Sequence, residues 1–205
     1  MLSSNDTTLT QRERTILLEI AAASIDHGLS TGQPLKIRSD ELPGRLAEPR
    51  ATFVTLRIDG QLRGCMGRLI ATSPLAVDIA ENAFSAAFRD PRFNRLGPDE
   101  AHLLDIHISI LSPPERIPCS DESELLRMIR PGIDGLILKC GPMRGTLLPS
   151  VWKSVSSPDR FLRHLKLKAG LPEDFWSSDI HVYRYTTESF SSDDIETAAE
   201  GRVPA

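Results

Sequence analysis

Apolar positions recur at two spacings along the chain. From Thr10, "TQRERTILLEIAAASIDHG" places Ile16, Leu17, Ile20, Ala21 and Ala23 on one helical face. Thr10 and Glu13 have the spacing of a capping box, and Gly28 is the expected stop. Residues 30–50 carry Gly32, Pro34, Pro43, Gly44 and Pro49, which predicts a loop. "FVTLRI" at 53–58 then suits a strand. Asp59-Gly60 signals a two-residue hairpin with a return arm over Gln61 to Met66. Strict alternation on that arm groups Leu62, Gly64 and Met66 on one face and Arg63, Cys65 and Gly67 on the other.

Helical spacing returns in "SPLAVDIAENAFSAAF", with Ser73 as cap, Pro74 as first helical residue and a stripe of Leu75, Ile79, Ala83, Ala86 and Ala87. "LLDIHISIL" at 103–111 alternates as a half-buried strand, ended by Pro113-Pro114. A helix over 121–129, a second hairpin over 134–149, a helix over 157–171 and a last strand over 179–190 follow. From Ser191 the chain is polar without periodicity and reads as a tail over 191–205. "DGQLRGCM" at 59–66 and "CGPMRGTL" at 140–147 align at a constant offset, so Arg63-Gly64 matches Arg144-Gly145 on two return arms.

Composition narrows the class. The 205 residues are 40% hydrophobic and 25% charged, ordinary values for a globular chain. No run is apolar enough for a membrane helix, and the N-terminus lacks the order of a signal peptide. The expected location is the cytoplasm. A net charge of -4 argues against broad nucleic-acid binding while leaving room for a local basic groove. Cys65, Cys119 and Cys140 are odd in number and widely spaced. Neither a disulfide framework nor a zinc site is expected. There is no nucleophile elbow, P-loop, dinucleotide turn or radical SAM-type cysteine triad, and no cofactor is expected.

The matching pieces "FVTL" at 53–56, "LRGCMG" at 62–67, "DPRF" at 90–93, "ISILSPPE" at 108–115, "DGLIL" at 134–138, "RGTLLPSVW" at 144–152 and "KAGLP" at 168–172 run in the order of a known family. On them the chain resembles the AMMECR family, known in prokaryotes as AmmeMemoRadiSam system protein A. The resemblance implies an α+β fold of two unequal lobes, mostly antiparallel sheet packed with helices, with a cleft between the lobes. One AMMECR-type domain is expected over 10–190. Its larger lobe would span about 10–118 plus 179–190 and its smaller lobe about 119–178. The family name pairs such proteins with a Memo-like protein and a radical SAM protein, the implied partners. Three positions depart from the family pattern: Met66 where isoleucine is usual, Ser150 where glutamine is common, and Lys166 where cysteine is common. The last argues against a mechanism needing a second thiol there.

Candidate chemistry centres on Cys65. Arginine favours thiolate over thiol, and Gly64 and Gly67 leave room for a ligand or another backbone. A buried structural cysteine is the competing reading. His107 and His181 are the possible bases, although His107 sits where relatives more often carry an acidic or other polar group. Arg63, Arg92 and Arg144 are candidate anion contacts, with pairing to Asp90 or Asp134 as the structural alternative for Arg63 and Arg144. "DPRF" reads mainly as a turn. Trp152, Phe161 and Trp176 are expected in the core of the smaller lobe, and Lys166 and Lys168 on a solvated helix face. Whether the protein is an enzyme stays open. One expectation is a ligand-binding or catalytic component acting on a small anionic metabolite or modified side chain in the inter-lobe cleft. The alternative is a non-catalytic scaffold for the Memo-like and radical SAM components.

Overall fold

A computed structural model describes residues 8–38, 42–155 and 157–193. It is an α+β fold with two four-stranded antiparallel sheets, and the chain divides into two compact units. One unit comprises residues up to Leu111 and those from Glu188 onward; the other is Ser112–Thr187.

The first unit begins with α1 (Gln11–Thr31). Its capping box forms as the sequence predicts: Glu13 N–H donates to the Thr10 hydroxyl, and Thr10 N–H donates to the Glu13 carboxylate. The helix does not stop at Gly28. It continues to Thr31, and Gly32 ends it in the left-handed region at φ 71°. Gly28 is buried inside the helix instead, where a Cβ would overlap Phe84 and Phe88 of α2 (Leu75–Phe88). Its role is close helix approach. Pro74, not Ser73, occupies the N-cap of α2.

Strands β1 (Ala51–Ile58), β2 (Gln61–Gly67), β3 (Asp105–Leu111) and β8 (Thr187–Ser191) form the first sheet in the order β2-β1-β3-β8. Val54 and Leu56 of β1 and Ile106, Ile108 and Ile110 of β3 turn inward onto the core, joined by Leu75, Ile79, Ala83, Ala86 and Ala87 of α2. The alanines let the helix lie close to the sheet. Asp78 of α2 is fully buried. Its Oδ2 accepts from Thr52 N–H (3.1 Å), the Thr52 hydroxyl (2.6 Å) and Asn82 Nδ2 (2.9 Å). Its Oδ1 faces Arg68 Nε at 3.5 Å. Burial pushes the Asp78 carboxyl above its usual range, against these donors.

The second unit pairs β4 (Glu115–Ile117), β7 (Ile180–Tyr185), β5 (Gly135–Cys140) and β6 (Met143–Leu147) in that order. The helices α3 (Glu122–Met128) and α4 (Pro158–Lys168) belong to it. Phe161, Leu162 and Leu165 of α4 share its core with Leu136, Leu138 and Val182. Trp152 stacks on Phe161 with centroids 3.9 Å apart, while Trp176 packs at the margin, in line with the sequence reading of these aromatics.

Three sequence expectations change here. The last strand is two, β7 and β8, which join different sheets, so 179–190 does not stay in one unit. Ser191 closes β8 and the Ser192 hydroxyl donates to Asp105 at 2.9 Å, so the chain past Phe190 is still docked. Residues 194–205 of the expected tail lie outside the described residues. Lys166 is fully buried, unlike exposed Lys168. It donates to Glu122 Oε2 (2.7 Å) and to the Glu173 carbonyl (2.9 Å). A buried ammonium requires such partners, and helical spacing gave no sign that they would come from α3 and a loop.

Candidate functional site

The β1–β2 hairpin turns through Asp59 (φ 50°) and Gly60 (φ 73°), the left-handed pair that an Asp-Gly turn supplies. Beyond the turn the register slips by one residue. Arg57 lies opposite Leu62, but Leu56 lies opposite Gly64, so Arg63 is an extra residue in a β-bulge. The bulge corrects the alternation expected from sequence. Leu62 shares the outer face with Cys65, while Gly64 and Met66 point inward opposite Leu56 and Val54. Gly64 is required there, because a Cβ would overlap the Ala86 carbonyl of α2. Gly67 sits against the Phe53 ring, where a Cβ has no room either.

The outer face carries rows of polar groups across three strands. Cys65, Thr55 and His107 form one row, and Leu62, Arg57 and Asp105 form the next. A third row is Gly67, Phe53 and Ser109, with the Ser109 hydroxyl 3.0 Å from that of Ser189. The Thr55 hydroxyl donates to Cys65 Sγ at 3.2 Å. One His107 nitrogen, Nε2, is bonded to Asp105. Two strand spacings separate the Cys65 and His107 backbones, about 10 Å, with the short Thr55 side chain between them. Cys65, Thr55 and His107 are all half-buried.

"DPRF" clasps this strand from its open edge. Cys65 N–H donates to Asp90 Oδ2 at 2.8 Å. Asp90 also receives Arg92 Nε (3.0 Å) and Nη2 (2.7 Å), and its carboxyl is itself buried. The Arg92 guanidinium, helped by the Cys65 N–H and by the Arg92 N–H on Oδ1 (3.1 Å), holds the Asp90 carboxyl far below the usual carboxylate range. Arg92 Nη2 reaches the Cys65 carbonyl at 3.5 Å. The Arg92 side chain is 54% exposed, and no partner is recorded for its Nη1 among the described residues.

Arg63 is placed differently. Its Nε and Nη2 fork onto Glu100 at 2.7 and 2.9 Å, and Nη1 donates to the Asn94 carbonyl at 3.0 Å. Its partner is Glu100, rather than Asp90 or Asp134. The Arg63 guanidinium, with Gly97 N–H, lowers the Glu100 carboxyl to about 2. Arg144 lies in the second unit, exposed on β6 opposite Lys139. His181 also belongs to that unit, where its Nδ1 is 3.0 Å from Arg116 Nη2.

The structure thus brings Cys65, Gly64, Gly67 and Arg92 together around one strand. It sets Arg63 against Glu100 and puts Arg144 on the other sheet. Thr55 and Asp105 were missed by the sequence reading. The available signal was the alternation of "TFVTLRI" and "LLDIHISIL", but only the strand register aligns Thr55 with both Cys65 and His107. Among the described residues no three His, Cys, Asp or Glu side chains converge as a metal-binding group would. No helix among them is long and apolar enough to cross a membrane.

Comparison with known proteins places these features in a family. A protein from Methanothermobacter thermautotrophicus is 37% identical over 191 residues, covering 90% of this chain and 97% of its own. One from Thermotoga maritima is 45% identical over 158 residues, covering 75% and 86%. The crystal structure of an uncharacterized protein from Pyrococcus horikoshii superposes with a TM-score of 0.79 at 34% identity, covering 86% of this chain and 89% of that one. The AMMECR1 family model matches residues 18–190, and the chain belongs to that family.

Proposed function

We propose that the outer face of the first sheet is a ligand-binding or catalytic surface centred on Cys65. It would serve a cytoplasmic component of the AmmeMemoRadiSam system and take a small anionic, carbonyl-bearing metabolite or modified side chain. The observation that carries this reading is the row Cys65–Thr55–His107, with Asp105 bonded to the imidazole. The Thr55 hydroxyl holds the Cys65 sulfur in place on that face. Asp105 fixes the ring through Nε2, which leaves Nδ1 to face a ligand. A ligand lying over Thr55 would have the thiol at one end and the imidazole at the other.

Reversible thiol addition to a carbonyl fits this row. The S–C bond forms, and the carbonyl π pair moves to oxygen. The proton lost by the thiol passes through His107 to that oxygen, and His107 ends as it began. Arg92, with Nη1 left over after pairing with Asp90, is a donor for the ligand's anionic group, whereas Arg63 has every guanidinium nitrogen engaged by Glu100 and the Asn94 carbonyl.

Thiol alkylation followed by mass spectrometry tests the reading within one molecule. Cys119 is an internal reference, since burial and the nearby Glu124 push its thiol pKa up. Cys65 should label faster than Cys119 at neutral pH, and Thr55→Val should slow Cys65 alone. Equal rates for the two thiols would remove the thiol chemistry. Co-purification of such an inert protein with the Memo-like and radical SAM components would then favour the scaffold reading.

A further inference from the structure

The second sheet also has an outer face, and it collects positive charge. Lys139 of β5 lies directly opposite Arg144 of β6 on one side and His181 of β7 on the other. These three side chains share one row and one face, and all are exposed. Arg116 of β4 lies opposite Tyr183, on the same face, and its Nη2 reaches His181 Nδ1. Lys139 Nζ lies 4.8 Å from the centroid of the Tyr183 ring.

Like charges directly opposite one another destabilise a sheet. Several cations elsewhere are held by carboxylates, among them Arg14, Arg63, Arg92 and Arg130, with buried Lys166 on Glu122. Among the described residues no carboxylate is recorded against Arg116, Lys139, Arg144 or His181. In a chain of net charge -4, three permanent cations without a carboxylate and a histidine side by side in one strip are a local concentration of positive charge. An anion bound across the strip would relieve the repulsion.

We propose that Arg144, Lys139, His181 and Arg116 form a binding site for a chain of phosphate groups. The strip crosses four strands, about 14 Å at the usual strand spacing. That span is too long for one oxyanion and suits a linear series of them. The donor on Arg116 leaves His181 Nδ1 as the acceptor of that bond, which places the imidazole proton on Nε2, free for a ligand oxygen. The site shares no residue with the Cys65 face and stands whether or not that reading holds.

Calorimetric titration of the full chain at low salt tests it, with sodium tripolyphosphate and, separately, oligouridylate. Saturable binding of either supports the site. Tripolyphosphate alone would identify a free oligophosphate ligand, and oligouridylate alone a nucleic-acid backbone. Three Lys/Arg contacts give a slope of log K against log salt of about -2 for a single strand. Lys139→Gln should weaken binding about tenfold and reduce that slope by about 0.7. Arg144→Gln should act alike, with the unliganded unfolding midpoint no lower than wild type. Arg163→Gln, an exposed charge on α4 paired with Asp159, should change nothing. The proposal is overturned if neither ligand binds, if the Lys139→Gln, Arg144→Gln double variant binds as wild type does, if Arg163→Gln weakens binding equally, or if oligoglutamate binds as tightly as phosphate.

Discussion

The two units solve the same packing problem with one local device and then diverge. Each lays a helix against an antiparallel sheet, and each uses the glycine of an Arg-Gly pair to admit that helix. Gly64 meets the Ala86 carbonyl of α2, and Gly145 meets the Leu165 carbonyl and Ala169 backbone at the end of α4. Each covering helix also buries one charge, Asp78 on α2 and Lys166 on α4. The differences lie on either side of the glycine. In the first unit the bulge makes Arg63 the extra residue, and it forks onto Glu100. The second hairpin keeps regular register, so Arg144 stays in line opposite Lys139 without a carboxylate. The following residue is Cys65 in one unit and Thr146 in the other. Thr146 is closed in, donating to the Leu136 carbonyl at 2.9 Å beside the Tyr185 hydroxyl at 3.0 Å. The same motif therefore leaves a thiol available on one sheet and a cation available on the other.

The comparison breaks most readily at the glycines. Gly64→Ala should cost about 3 kcal/mol, because a rigid helix carbonyl must move, and Gly145→Ala about 2 kcal/mol. Urea unfolding measures both, and equal, negligible costs would dismiss the shared device. Lys166→Ala should cost about 2 kcal/mol, below the full value for a buried pair, since Glu122 keeps partial solvent contact. Acid and alkali separate the units more gently. Glu100 is lowered from 4.5 to about 2, so its contribution is present above pH 4.5 and lost as pH falls toward 2. Glu100→Gln should flatten that limb of the stability curve. Burial of Tyr185 in the second unit raises its hydroxyl from 10.0 to about 12. Its contribution is present below pH 10 and lost as pH rises toward 12, so Tyr185→Phe should flatten the alkaline limb. The smallest effect expected is on Cys65 itself. Cys65→Ser should leave the unfolding midpoint nearly unchanged, since Thr55 can hydrogen-bond to the new hydroxyl.

Much of the framework is legible in the chain. The Thr10–Glu13 box, the Asp59-Gly60 turn, the alanine stripe of α2 and the alternation of "DIHISIL" each act through neighbours a few residues away. Sequence spacing is enough to read such interactions. The motifs also identify the family. Where the reading failed, the deciding partner was distant. Gly28 looked like a helix stop because nothing local shows that Phe84 and Phe88 will press on it. Lys166 looked solvated because Glu122 and Glu173 reach it only after α3 and α4 pack. A single bulge moved Leu62 to the other face and gave Arg63 to Glu100, and pattern alone does not encode a one-residue slip.

The site divides along the same line. Sequence alone determined that Cys65 lies on a hairpin arm between glycines and that arginines crowd around it. Tertiary structure decided which arginines are spent: Arg63 on Glu100, Arg92 on Asp90 with one nitrogen left over, and Arg144 on no carboxylate among the described residues. It also chose Thr55 and His107 as companions of the thiol, because strand register, a property of paired chains rather than of one, decides which side chains stand side by side.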